Sequence, residues 1–236
     1  MHFRSVVFLF GMTVSTIIVA PIMILAFPLA FKFRYKIAQT WVTFNLWLIN
    51  IVCGLDYEVE GKENIPDQNG IIFCKHQSAW ETIALQAIFP PQVFILKREL
   101  LWLPFFGWAM ATCDPIAINR KAGKTALRQV VNQGIERLKN GLWIVIFPEG
   151  TRVAPGEKRK YGVGGSILAH KSEAPVIPVA HNAGEFWGKY SFLKYPGTIQ
   201  VRIGPPIFAS NLSSQEINQL AQDWIEEQMG QISSNT

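Results

Sequence analysis

The sequence predicts an α/β fold: a mixed, partly parallel sheet flanked by helices, preceded by an N-terminal membrane-associated helical pair. Three observations predict it. Short apolar runs alternate with segments of helical periodicity through the last three quarters of the chain. The first 55 residues are far more apolar than the rest. The length, 236 residues, suits one α/β domain with an appendage.

The appendage comes first. From Ser5 to Phe31 no residue is charged. As a helix this stretch would be about 40 Å long, against about 30 Å for a hydrocarbon core. Pro21 and Pro28 are expected to kink it or end it early. It is too long for a signal peptide and runs directly into more apolar sequence. The basic run KFRYK at 32–36 then suits the cytoplasmic side or an anionic headgroup layer. Residues 37–55 read as an amphipathic helix, with Ile37, Trp41, Phe44, Leu48, Ile51, Val52 and Leu55 on one face. Residues 1–55 are thus expected to anchor the chain, whether the first helix crosses the bilayer or stays in one leaflet. Residues 56–236 form the globular domain.

In that domain the runs at 70–74, 93–96, 142–147, 175–180 and 198–203 read as strands. Residues 122–139 read as a helix with Leu127, Val130, Val131 and Leu138 inward and Gly141 past its end. Residues 213–229 read as another, with Ser213 and Glu216 as a capping box and Ile217, Leu220, Trp224 and Ile225 inward. Strands alternating with helices argue for parallel pairs.

Composition narrows the function. The net charge is +5 with 49% hydrophobic residues. With so apolar an N-terminus the basic balance points to anionic lipid rather than nucleic acid. Cys53, Cys74 and Cys113 lie in apolar runs without a C-x-x-C and read as core residues. There is no G-x-S-x-G elbow. The glycine-rich GVGGS at 162–166 is no phosphate loop, since no Gly-Lys-Ser/Thr follows it. His170 and His181 have no ligand-like neighbours in sequence, so no metal site is expected.

Two stretches carry candidate chemistry. In IIFCKHQSAWET (71–82) a strand ends on Lys75 and His76, and Ser78 reads as the N-cap of a helix. His76 therefore sits at the C-terminal edge of the strands, where open α/β sheets bind ligands. Glu81, in the first helical turn, can reach back to an imidazole nitrogen, fixing the tautomer so that the other nitrogen takes a proton. Ser78 to Glu81 is equally a capping-box spacing, and local sequence leaves both roles open. In FPEGTR (147–152) a buried strand ends in a turn bearing Glu149, Gly150, Thr151 and Arg152, the last a fork suited to phosphate. Arg120 closes DPIAINR, and Lys97 follows an apolar strand. Any nucleophile would come from a substrate, with His76 as base.

Taken together, HQSAWE, DPIAINR, FPEGTRV and APVIPV stand in the order of four family blocks, and over about residues 60–205 the chain resembles the glycerolipid acyltransferases. It is most similar to the bacterial members that acylate 1-acyl-sn-glycerol-3-phosphate. It departs from their pattern at Glu81 (usually Asp), at Asp114 and Ala117 (usually Gly and Phe) and at Val153 (usually Ser). The resemblance implies acyl transfer from acyl-CoA or acyl carrier protein to the sn-2 hydroxyl of lysophosphatidic acid. His76 would be the base and Glu81 its orienting partner as well as a cap. Arg120 and Arg152, with Lys97, would hold the phosphate beside Glu149, Gly150 and Thr151. Amides near Gly150 or the helix start are candidate oxyanion donors. No metal or bound cofactor is implied. The expected location is a bacterial inner membrane with the site facing the cytoplasm. The rival readings are a different lysolipid acceptor, or a silent membrane-binding protein that keeps the fold.

Overall fold

The computed structural model describes residues 1–119 and 122–233. Helices α1 (His2–Leu25) and α2 (Phe31–Cys53) lead into β1 (Leu55–Glu60) and β2 (Ile71–Cys74). Then follow α3 (Trp80–Ile88), β3 (Gln92–Lys97), α4 (Phe106–Ala111), β4 (Ile116–Ile118), α5 (Lys124–Lys139), β5 (Trp143–Ile146) and α6 (Gly164–Ser172). The chain ends with β6 (Val176–His181), α7 (Ala183–Phe186), β7 (Gly197–Ile203) and α8 (Ser214–Ile232). The seven strands form one sheet in the order β1-β7-β6-β2-β5-β3-β4. All neighbours are parallel except the antiparallel pair β6–β7.

The central strands are buried on both faces, which explains their unbroken apolar runs. Ile71 and Phe73 face a core completed by α5, α6 and α8. Ile72 and Cys74 face the opposite core, with residues of α1, α2 and α3, as the two-residue strand period requires. GVGG belongs to this packing: a Cβ on Gly165 would lie 2.6 Å from the Phe73 ring, so only glycine lets α6 approach β2. Gly141, at φ +75, follows α5 where a left-handed residue is needed.

As expected of the prolines, α1 ends early, at Leu25 before Pro28, although Pro21 itself lies inside it. Several expectations are corrected. The helix after the basic run begins at Phe31, so KFRYK is its first turns, and Gly54 (φ 68) ends it one residue before Leu55 opens β1. Its protein-facing stripe is Val42, Asn45, Ile49 and Cys53, whereas Phe44 and Ile51 of the expected face are exposed. Arg34 is buried, paired with Asp114 at 3.1 Å and donating to the Thr112 carbonyl. Asp114 itself takes φ 49, a conformation Asp tolerates and the family's usual Gly adopts freely. A departure from the family pattern thus keeps the backbone shape and adds a tie to α2. The capping box of α8 forms, but Leu220 is 47% exposed. Edge strand β1 alternates in the period-two manner, and β4 has only three residues; neither was expected.

Candidate active site

Because β6, β2, β5, β3 and β4 run parallel as neighbours, their C-terminal ends share one edge of the sheet. That edge receives His181 from β6, Lys75 and His76 from β2, the 147–153 turn from β5, and Lys97 from β3.

His76 occupies the turn between β2 and α3. Its Nδ1 lies 2.8 Å from Glu81 Oε1. A carboxylate can only accept there, so Nδ1 carries a proton, and the lone pair of the neutral ring lies on Nε2. The imidazole stacks on Phe147, with centroids 3.9 Å apart and planes at 15°, and its carbonyl accepts from Val153 N–H at 2.8 Å. Glu81 is fully buried. Its carboxylate also accepts from Gln77 N–H at 2.9 Å and from Ser78 N–H at 2.8 and 3.0 Å. Burial pushes the Glu81 carboxyl up, but the imidazoles of His181 and His76 and the Ser78 amide overcome this and hold it below the ordinary glutamate value. Glu81 thus touches both the His76 imidazole and the amides that open α3. Only half of the capping box forms, since the Ser78 hydroxyl accepts from Trp80 N–H, and the N-cap is Ala79.

His181, without an expected role, lies under this turn. Ala183 N–H donates to its Nδ1 at 3.2 Å, so Nε2 carries the proton and donates to the Lys75 carbonyl at 2.8 Å. Burial pushes its pKa down, against the pull of the Glu81 carboxylate. Gln77 Oε1 accepts from Gly184 N–H at 3.3 Å, a second tie between the turn and α7.

In the second turn, Gly150 takes φ 70 and its N–H donates to the Phe147 carbonyl at 3.0 Å. That amide is occupied by the turn and is not free for an oxyanion. Thr151 is half-buried. The Glu149 side chain, expected at the substrate, is instead fully buried, 3.5 Å from Lys75 Nζ. Neither of its oxygens completes a hydrogen bond. Burial raises its pKa to about 7, against the pull of Lys75 and nearby amides. Val153 is buried, so its family-pattern hydroxyl is replaced by packing while its amide makes the contact with His76.

His76, Phe147, Arg152 and Lys97 line a largely apolar cavity of about 390 Å³ that continues between α1, α2, α4 and β3. Among the described residues no carboxylate pairs with Arg152, whereas Lys97 Nζ is 3.9 Å from Glu99. Arg120 lies outside the described residues. The arrangement offers an oriented imidazole base, a guanidinium beside it and an apolar slot behind both.

The sequence reading gave no role to Lys75, Phe147 as a stacking partner, Gln77 or His181. Only the unusual Lys75–His76 ending of a strand hinted at any of them, because their partners come from distant strands.

Residues 56–182 match the family model described as Acyltransferase. A 1-acyl-sn-glycerol-3-phosphate acyltransferase of Pseudomonas aeruginosa is 46% identical over 98% of this chain and 91% of its own length. The enzyme of the same name from Saccharomyces cerevisiae is 31% identical over 80% of this chain and 64% of its own. The crystal structure of the 1-acyl-sn-glycerophosphate (LPA) acyltransferase from Thermotoga maritima superposes with a TM-score of 0.82 at 23% identity, covering 99% of this chain and 96% of that one.

Proposed function

The chain belongs to the acyltransferase family, among its 1-acyl-sn-glycerol-3-phosphate acyltransferases, and from that premise we propose how its residues perform the reaction. The enzyme moves an acyl chain to the sn-2 hydroxyl of lysophosphatidic acid and yields phosphatidic acid. His76 Nε2 takes the hydroxyl proton as the oxygen attacks the thioester carbonyl of acyl-CoA or acyl carrier protein. The tetrahedral adduct collapses, the C–S bond breaks, and the imidazolium returns the proton to the departing thiolate. Glu81 orients the imidazole and stabilises its charged form. General-base catalysis of this kind is worth roughly 10²–10⁴-fold; positioning of two lipid substrates supplies the rest.

Arg152, with Lys97 and Arg120, holds the acceptor phosphate. Gly150 and Thr151 shape that turn, and Glu149 supports it from below. The apolar cavity takes the acyl chain, each methylene gaining about 0.8 kcal/mol on leaving water. The base, the phosphate clamp and the thiolate leaving group account for every step, so the reading invokes neither metal nor bound cofactor.

Residues 1–55 form the membrane unit and 56–236 the acyltransferase domain. α1 is long and apolar enough to cross a membrane by length and composition. Yet it is buried against the rest of the protein at both ends, through Ser5 and Phe8 and through Ala20 and Met23, while Phe3, Phe10, Ile17 and Leu25 stay exposed. That favours a helix lying along the domain in one leaflet. Exposed Trp102, Phe105 and Trp108 extend the apolar face. Lys32 and Lys36 meet anionic headgroups, at the cytoplasmic side of a bacterial inner membrane.

The observation that carries this reading is the 2.8 Å His76–Glu81 pair at the mouth of an apolar cavity that also holds Arg152. Thiol release is measured with lysophosphatidic acid and other lysophospholipids side by side, on both donor types. The reading expects release that needs the phosphate monoester. Equal rates with a choline-headed lysolipid would overturn the acceptor, and no release from either donor would overturn the chemistry.

A further inference from the structure

Glu226 lies in α8, beyond the residues 56–182 that match the family model. Its carboxylate accepts from Lys75 Nζ at 2.6 Å. Lys75 immediately precedes His76, and its side chain is 2% exposed. The same ammonium stands 3.5 Å from Glu149 Oε1 and donates to the Glu157 carbonyl at 3.5 Å. One buried charge therefore joins three segments: the His76 turn, the FPEGTR turn with its continuation, and the C-terminal helix. The backbone of Lys75 is fixed too, its N–H on the Val179 carbonyl at 3.0 Å and its own carbonyl on His181 Nε2 at 2.8 Å.

Two carboxylates share this ammonium unequally. Glu226 makes the close pair, and Glu149 is left without a completed hydrogen bond. Remove Glu226, and a buried ammonium loses its principal counter-charge. Lys75 then keeps only Glu149 at 3.5 Å and the Glu157 carbonyl, and α8 no longer ties the strand end that bears His76. α8 itself does not depend on this pair, because Ile217, Ala221 and Ile225 are fully buried against the sheet.

We propose that Glu226 is a positioning residue for acyl transfer: its ion pair with Lys75 holds the end of β2, and hence His76, in register with the turn that carries Arg152. This rests on the reading of His76 as the base.

The test compares full-length Glu226→Ala, Glu226→Gln and Ile225→Ala in detergent micelles, each well below its own Tm. Ile225 is a neighbour on the same helix, buried in the core and remote from Lys75 in role. Glu226→Ala should lower kcat tenfold or more with acceptor KM changed less than threefold. Glu226→Gln, which keeps an oxygen for Lys75, should recover several-fold of that loss. Ile225→Ala should lower Tm at least as much yet leave kcat within twofold. Should Glu226→Ala fail to fold, Glu226→Met, which fills the space without an oxygen for Lys75, takes its place under the same kcat criterion. If the Glu226 variant turns over as fast as Ile225→Ala, the proposal is wrong while the catalytic reading stands. If the wild-type protein releases no thiol, both fall.

Discussion

The turn after β2 and the turn after β5 each bury a glutamate beside His76, and they treat it in opposite ways. Glu81 accepts from an imidazole nitrogen and two backbone amides, and its pKa lies below the ordinary value. Glu149, equally hidden, completes no hydrogen bond, and its pKa is raised to about 7. A buried carboxylate that is fully satisfied is fixed in place and keeps its charge. One that is not satisfied is held close to its neutral form by burial. In the proposed reaction the first keeps the imidazole oriented. The second lies buried in the turn that carries Arg152, a residue lining the cavity with His76.

The sharpest way to break this contrast is at the first turn. His76→Ala should lower kcat by on the order of 10²–10⁴-fold with little change in Tm, since the ring is partly exposed at the cavity. Glu81→Gln should lose both activity and stability. With the amide oxygen in the Oε1 place, the new NH2 takes the Oε2 place and faces the Ser78 amide, at about 1–3 kcal/mol. Steady-state kinetics and thermal unfolding of the two variants check this. A Glu81→Gln enzyme with normal kcat would reduce Glu81 to a cap.

Arg152→Lys comes next. It keeps the charge but loses the planar fork, so acceptor KM should rise about tenfold with a smaller change in kcat. Unchanged kinetics would remove Arg152 from the phosphate site.

The smallest effect belongs to the second glutamate. Its folded pKa is raised, so the folded state holds the proton more tightly than the unfolded chain. The corresponding stability is fully present below the ordinary value near 4.5 and is lost as pH rises through about 7. Glu149→Gln mimics the protonated form at every pH. Relative to wild type, it should gain roughly 2–3 kcal/mol of stability at pH 8 compared with pH 5, with turnover altered only modestly. Denaturant unfolding at the two pH values decides it. A variant less stable at pH 8 would mean that the charged Glu149–Lys75 pair is a net asset.

Much of this site was legible before the fold. Periodicity placed β2, β5 and β6, and the resemblance tied His76 to Arg152. Spacing alone raised both roles for Glu81 because cap and partner lie within five residues of each other. What stayed hidden was set by long-range pairing. His181 reaches Lys75 only because β6 and β2 are neighbours, and Glu226 does so across 151 positions of sequence. The buried state of Arg34 was equally unreadable, since its partner Asp114 is 80 positions away. Which residues of α2 meet protein was unreadable because an apolar residue against lipid and one against protein look alike in sequence.

The Arg34–Asp114 pair bears on how a water-soluble form of this enzyme could be made. α2 carries the guanidinium and the turn before β4 carries the carboxylate, while Phe8, Ile49 and Cys53 share a core with Ile72 and Trp80. Cutting away the first two helices would strand a half-buried acid and leave α3 alone over that face of the sheet. The first two helices and the body thus share one core. Solubility has to come from repainting the outward residues of α1 and α2 with polar ones, leaving their inward side untouched.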